Sequence, residues 1–271
     1  MLYTTVPEIC GICRIRVSFV SPVSRVRYTP DVRMSAESER IGSMSNTDAR
    51  AMQGLPDVSE LVVGVLGGTG EQGRGLAVRL AMSGLRVVIG SRDARRAQEI
   101  AAEVGHGIRG ASNEECARIS DLVIVAVPWD GHALILSDLR GALAGKIVVD
   151  CVNPMGFDAG GAYSLPVPEG SAAQQAASLQ PDSRVVGAFH HVSAVMLLDT
   201  SQAMIETDIM VVGDDREATD TAQALAFRIP GMRGIYAGKL RNAGQVEALT
   251  ANLISVNRRY KSHAGVRMTD V

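Results

Sequence analysis

The sequence predicts an α/β protein built on a Rossmann-type doubly wound parallel sheet, with a small C-terminal α/β domain. Three observations predict it. An apolar run from Leu61 to Leu66 breaks into Gly68-Thr69-Gly70-Glu71-Gln72-Gly73 and then enters an amphipathic helix near Arg74, the strand–turn–helix order of a dinucleotide site. Strand-like and helix-like stretches alternate from Leu61 onward with short loops between them, as parallel sheets require. The run DLVIVAV, Asp121 to Val127, is almost wholly apolar, which suits a strand covered on both faces.

Taken in order, the periodicity predicts a helix over 74–84, a strand over 85–90 and a helix over 93–104. A short strand near Ile108 and a helical turn over Asn113 to Arg118 follow, then the strand at 121–127, a helix over 130–143 and a strand over 146–152. A Pro/Gly-rich passage from Asn153 to Gly170 marks the crossing into a second part. There an Ala/Gln-rich helix (171–179) precedes strands at 184–189 and 209–213, a helix at 215–228, a strand at 232–236 and a long terminal helix from Asn242. The expected division is therefore a disordered or non-native extension over 1–59, an NADP-binding Rossmann domain over 60–155 and a small substrate domain over 156–271.

The extension differs in composition from the rest. Arg14, Arg16, Arg25 and Arg27 with serines, and a single acid (Glu8) before Asp31, resemble a transit peptide. Met34 and Met44 both offer plausible starts, so an over-extended reading frame explains the segment as well. Over the whole chain 27 basic residues face 29 acidic ones, net −2, which leaves no nucleic-acid footprint. No apolar run approaches the roughly 18 to 20 residues of a membrane span. Cysteines 10, 13, 116 and 151 make no disulfide framework: Cys10 and Cys13 form a C-x-x-C pair without a second ligand pair, and Cys151 sits in an apolar strand. A cytoplasmic protein is expected.

Chemistry concentrates at the carboxyl ends of the predicted strands, where open α/β sheets bind their ligands. The glycine-rich turn, Gly68 to Gly73, lets a pyrophosphate approach the helix N-terminus. At the end of the next strand, where NAD-binding proteins place an acid for the ribose, stand Ser91 and Arg92, with Arg95 and Arg96 one turn on. A hydroxyl and guanidinium forks suit a 2′-phosphate, so the cofactor read from the sequence is NADP. Val127-Pro128-Trp129 should face the nicotinamide half, with Asn153-Pro154-Met155 lining the same crevice. His190, at the end of RVVGAF, is placed to donate a hydrogen bond or to act as acid or base; His191 is a weaker candidate.

Asp199, Asp214 and Asp215 read as turn or cap residues. His106 and His132 look isolated, and no cluster has metal-ligand spacing. Tyr-x-x-x-Lys is absent, which argues against protonation of an alkoxide by tyrosine. Hydride exchange between two ring cofactors mainly needs the rings held face to face, which positioning can supply.

From Val63 to about Arg259 the chain resembles the NADPH-dependent oxidoreductases of the deazaflavin coenzyme F420 found in methanogens and actinobacteria. The resemblance rests on GGTGEQGRGLAVRLA, the VIGSR strand end, Pro128-Trp129, KIVV, the segment Ala188 to His190, and above all the terminal AGKLRNAGQVEALTANLI. It implies that Thr69, Gly70, Glu71 and Gln72 hold the pyrophosphate, Ser91, Arg92 and Arg96 the 2′-phosphate, and Val127 to Trp129 the nicotinamide side. His190, Val192 and Ala194 would stand between the two rings, with Leu240 on the deazaflavin. The implied activity is reversible hydride transfer between NADP(H) and F420, in a homodimer acting on small molecules rather than nucleic acid or membrane. The chain departs from archaeal members at Asp150 to Met155, where they are apolar, and at His191, where they have a small polar residue. Reduction of a flavin, quinone or metal chelate, and non-catalytic sensing of NADP(H), are the alternatives.

Overall fold

A computed structural model describes residues 52–271 and, before them, the backbone of Ile15–Arg16, which pairs with Arg267–Met268. The expectations for Cys10, Cys13, the arginines of the extension, Met34 and Met44 fall outside the residues whose side chains are described.

The first unit is β1 (Val62–Leu66), α1 (Glu71–Met82) and β2 (Arg86–Ser91). The helix begins inside the glycine motif, three residues before the position that its amphipathic pattern suggests. Two helical glycines, Gly73 and Gly75, mask its start in the sequence, since each costs about 1 kcal/mol relative to alanine. Next come α2 (Ala94–Val104), β3 (Arg109–Ser112), α3 (Asn113–Ile119) and β4 (Leu122–Val125). The helix expected over 130–143 is divided at Leu139 into α4 (Trp129–Asp138) and α5 (Arg140–Leu143), and β5 (Ile147–Asp150) follows.

The Pro/Gly-rich passage is not all loop. It contains an antiparallel hairpin, β6 (Met155–Asp158) and β7 (Gly161–Ser164). Asp158 turns the chain by accepting hydrogen bonds on Oδ1 from the amides of Gly160 (2.7 Å) and Gly161 (3.1 Å), an Asx turn. Then follow α6 (Ala172–Leu179), β8 (Arg184–Gly187), a short α7 (Ala194–Leu198) with no counterpart in the sequence reading, β9 (Thr207–Gly213), α8 (Arg216–Phe227) and β10 (Met232–Gly238). A 3₁₀ turn at Leu240–Asn242 leads into α9 (Ala243–Tyr260), and β11 (Arg267–Met268) ends the chain. Asp215 caps α8, accepting from the Ala218 amide at 2.8 Å, as a cap residue should.

One eight-stranded sheet runs in the order β10-β9-β8-β5-β4-β1-β2-β3, continuous across residue 155. Every neighbouring pair is parallel except β8 and β9. Strand order reverses between β1 and β4, which puts the loop after each on the same rim of the sheet. Both faces are covered: Leu122 and Ile124 pack into one core, Val123 and Val125 into the other, all at most 1% exposed. That accounts for the unbroken apolar run in the sequence.

Candidate functional site

The turn after β1 holds its shape because two glycines stand where no side chain fits. Gly67 has φ +75°, and a Cβ there would lie 2.3 Å from the Ala126 carbonyl oxygen. A Cβ on Gly73 would lie 2.7 Å from the Gly67 carbonyl oxygen, so the first turn of α1 sits directly on the loop. Gly68 is buried beneath it, while Thr69 and Gly70 line a cavity of about 1550 Å³. Glu71 is exposed and lines neither cavity described here; Gln72 faces the second, smaller one.

Ser91, Arg92 and Arg96 line the larger cavity together. Asp93 caps α2 by accepting from the amides of Arg95 (2.9 Å) and Arg96 (3.3 Å), which fixes the direction of the helix. Arg95 turns away and pairs with Glu99 at 3.0 Å. Arg92 and Arg96 are exposed and make no ion pair among the described residues, so both forks are available to an anion. With the glycine turn, this donor set fits a nucleotide carrying a 2′-phosphate.

A second cavity, about 390 Å³, opens beside the first. Ala126, Val127 and Pro128 line both and form their common wall. Trp129 lines the smaller cavity while packing on the core, its ring 5.5 Å from that of His132. Asn153, Met155, His190, Val192 and Ala194 close the opposite side. The sequence reading missed the remaining wall, Thr250, Leu253, Ile254 and Asn257 on α9. Their i, i+3, i+4, i+7 spacing is the signal that marks one helix face. Leu240 is not brought to either cavity: it is 6% exposed and packs with Ala173, Met210, Val212, Ala243 and Val246.

His190 is held by its backbone. Its carbonyl accepts from Asn153 Nδ2 at 2.7 Å and Thr250 Oγ1 at 3.0 Å. The preceding Phe189 is fully buried with φ +62°, a left-handed conformation that costs a non-glycine residue of order 1 kcal/mol. Its carbonyl accepts from Gln72 Nε2 at 3.3 Å. The His190 ring is buried, and neither nitrogen makes a hydrogen bond of normal geometry. Burial pushes its pKa down to about 4, with the nearby Asp150 carboxylate and the Val152 backbone opposing. His191 is likewise pushed down to about 4, by burial and by His190; its Nε2 accepts from the Met210 amide at 3.3 Å. Both imidazoles are neutral at pH 7.

His132 is not isolated, contrary to its place in the sequence. Its Nε2 lies 2.6 Å from Asp150 Oδ2 and its Nδ1 2.9 Å from Gln175 Oε1. The strand β5 and helices α4 and α6 bring these three together from distant positions, so linear spacing could not show it. Glu247 of α9 receives the amides of Ala172 and Ala173 at 2.9 and 3.1 Å, yet burial holds its carboxyl up at about 7. Among the described residues no group of three or more His, Cys, Asp or Glu side chains could hold a metal ion, and no helix is long and apolar enough to cross a membrane.

Residues 62–154 match the family model described as NADP oxidoreductase coenzyme F420-dependent. The F420-dependent NADP reductase of Methanothermobacter marburgensis is 38% identical over 221 residues, covering 77% of this chain and 98% of the relative. The metalloreductase STEAP3 of Rattus norvegicus is 33% identical over 192 residues, 71% of this chain but 37% of that protein. A solved structure from Arthrobacter sp. FB24, provisionally assigned as an F420-dependent NADP reductase, superposes with a TM-score of 0.66 at 26% identity, covering 75% of this chain and 96% of that one. The chain belongs to the coenzyme F420-dependent NADP oxidoreductase family.

Proposed function

We propose that this protein transfers a hydride reversibly between NADP(H) and the deazaflavin coenzyme F420. The observation that carries the reading is the common wall Ala126–Pro128, with the cavity of the glycine turn, Arg92 and Arg96 on one side and a cavity without charged lining residues on the other. The smaller cavity is lined by amides, hydroxyls, apolar groups and two imidazoles held neutral. Such a lining suits hydride exchange between rings, where orientation does most of the work, better than carbonyl reduction, which needs an acid at the nascent alkoxide.

In this reading the glycine turn with Thr69 and Gly70 seats the pyrophosphate, Ser91, Arg92 and Arg96 hold the 2′-phosphate, and Gln72 turns to the acceptor cavity. When bound, the reduced nicotinamide supplies the hydride and the deazaflavin takes it. Val127, Pro128 and Trp129 set the plane of the nicotinamide side. Val192 and Ala194 face them across the cavity, while Asn153 and Thr250 fix the His190 backbone between. Residues 60–155 serve the cofactor and share the acceptor wall about equally with 156–271. A cytoplasmic location belongs to the same reading and is supported by two buried free thiols, Cys116 and Cys151. So does a homodimer, supported by Phe157 and Tyr163, which stand exposed on the hairpin.

The test is to mix purified protein with NADPH and oxidised F420 and follow the deazaflavin absorbance, with FMN, a quinone and a ferric chelate in parallel. Bleaching confined to F420 supports the reading. Turnover of the ferric chelate alone would favour a metalloreductase, the activity in the name of the rat relative. Binding of NADPH with no turnover of any acceptor would leave a sensor.

A further inference from the structure

The helix that begins at the phosphate turn also grips the far side of the acceptor cavity, through three residues on one of its faces. Gln72, in the first turn, donates to the Phe189 carbonyl at 3.3 Å. Gly75 lies so close to α7 that a Cβ on it would sit 2.6 Å from Leu197 Cβ. Arg79, two turns on and 2% exposed, spends its whole guanidinium on one loop. Nε donates to the Leu197 carbonyl at 2.8 Å, Nη1 to Gln202 at 2.7 Å, and Nη2 to Met196 at 2.9 Å and Asp199 at 2.6 Å. Spacings of three and four residues put all three on one stripe of α1. The segment they hold, 189–202, carries His190, Val192 and Ala194 of the cavity wall.

We propose that Arg79 is a positioning residue for the acceptor: with Gln72 and Gly75 it makes α1 a brace, so that one rigid helix sets both the phosphate turn and the acceptor wall. A planar fork with fixed donors can satisfy several converging carbonyls at once, whereas a lysine ammonium is a single point charge with no such geometry. The carbonyls it binds include the end of α7, where the partial negative charge of a helix terminus collects. Removing the fork therefore loosens 194–202 while leaving the glycine turn, Ser91, Arg92 and Arg96 untouched. The inference rests on the smaller cavity taking the acceptor.

The test compares R79K with wild-type protein in three measurements: NADPH dissociation constant, KM and kcat for F420, and amide hydrogen exchange with and without NADP+. The expected result for R79K is an F420 KM raised roughly ten-fold or more, because small misplacements of a reacting wall are costly. NADPH affinity should stay within about two-fold, since no cofactor contact is lost. The Leu197 and Asp199 amides, which bond to Ser193 and Val195 in α7, should exchange faster.

G75A supplies a second route, pushing the Leu197 Cβ away while leaving Arg79 in place, and it should raise the F420 KM as R79K does. It decides the matter if R79K fails to fold. A folded R79K with unchanged F420 KM, or with NADPH affinity falling in step with it, would overturn the proposal. If the wild-type protein does not turn over F420, the functional reading fails. The exchange data then still judge Arg79, because unaltered exchange over 194–202 in R79K would remove the brace.

Discussion

Nε2 of His132 and Oδ2 of Asp150 meet at 2.6 Å with both side chains fully buried. Burial works against a charged imidazole here, but the Asp150 carboxylate, the hydrogen bond to it and the Gln175 carbonyl together raise the His132 pKa above its ordinary value. The pair ties α4, which starts at Trp129 directly after the common wall, to the end of β5, which leads into Asn153. Two sides of the cavity thus depend on one buried hydrogen-bonded pair.

Breaking that pair from one side should be expensive. Asp150→Ala leaves His132 buried without its partner and should cost roughly 3–5 kcal/mol in urea unfolding. His132→Ala/Asp150→Ala should lose less than the sum of the two single changes, the signature of a coupled pair. Strict additivity would show that the two groups do not interact.

Stability should also depend on pH in two opposing ways. His190 and His191 have folded pKa values of about 4, below the unfolded value of about 6.5. The unfolded chain binds protons first, so their contribution is present above pH 6.5 and is lost as pH falls toward 4, roughly 3 kcal/mol for each. Glu247, raised to about 7, acts with the other sign: it favours the folded state at low pH and loses that advantage as pH rises from about 4.5 to 7. Differences between variants separate the two. His191→Gln should flatten the acid loss between pH 6.5 and 4.5, measured as urea midpoint against pH, and a slope equal to wild type would remove His191 from the account.

Arg92→Ala should weaken NADPH binding by roughly 1.5–3 kcal/mol, the range for a hydrogen bond to a charged group. NADH binding should barely move, because it lacks the 2′-phosphate. Calorimetry with both nucleotides checks this, and an unchanged NADP/NAD preference would refute the assignment.

Leu240 and Ile254 distinguish packing from contact. Leu240 is buried among core residues whereas Ile254 lines the cavity. Leu240→Ala should cost about 2–5 kcal/mol of stability. Ile254→Ala should instead raise the KM for F420 while the unfolding midpoint stays near wild type. A Leu240→Ala protein of normal stability but raised KM would put Leu240 against the acceptor after all.

What the sequence made legible follows from distance along the chain. The turn, Ser91, Arg92 and Arg96 could be read because a βαβ unit confines them to about 30 residues of chain and one sheet rim. Val127 to Trp129 and Asn153 could be placed because strand ends in a parallel sheet share that rim. The α9 wall was hidden because Thr250 meets the His190 carbonyl across 60 residues of chain, and apolar helical spacing alone does not say which cavity a face adjoins. His132 with Asp150, and Arg79 with the loop after α7, were hidden for a related reason. A charged residue within an apolar pattern reads as surface until its partners are known. The hairpin was lost because its glycines, and the prolines that flank it, mimic a loop.

The wall formed by Ala126, Val127 and Pro128 also dictates the kinetic order of the reaction. None of these three side chains can hold an electron pair, and the nearest thiol, Cys151, is buried with its pKa pushed up by desolvation. Among the described residues, reducing equivalents have no place to wait between one ligand leaving and the next arriving. Both ligands must be resident together, so double-reciprocal plots against NADPH at several F420 concentrations will intersect rather than run parallel.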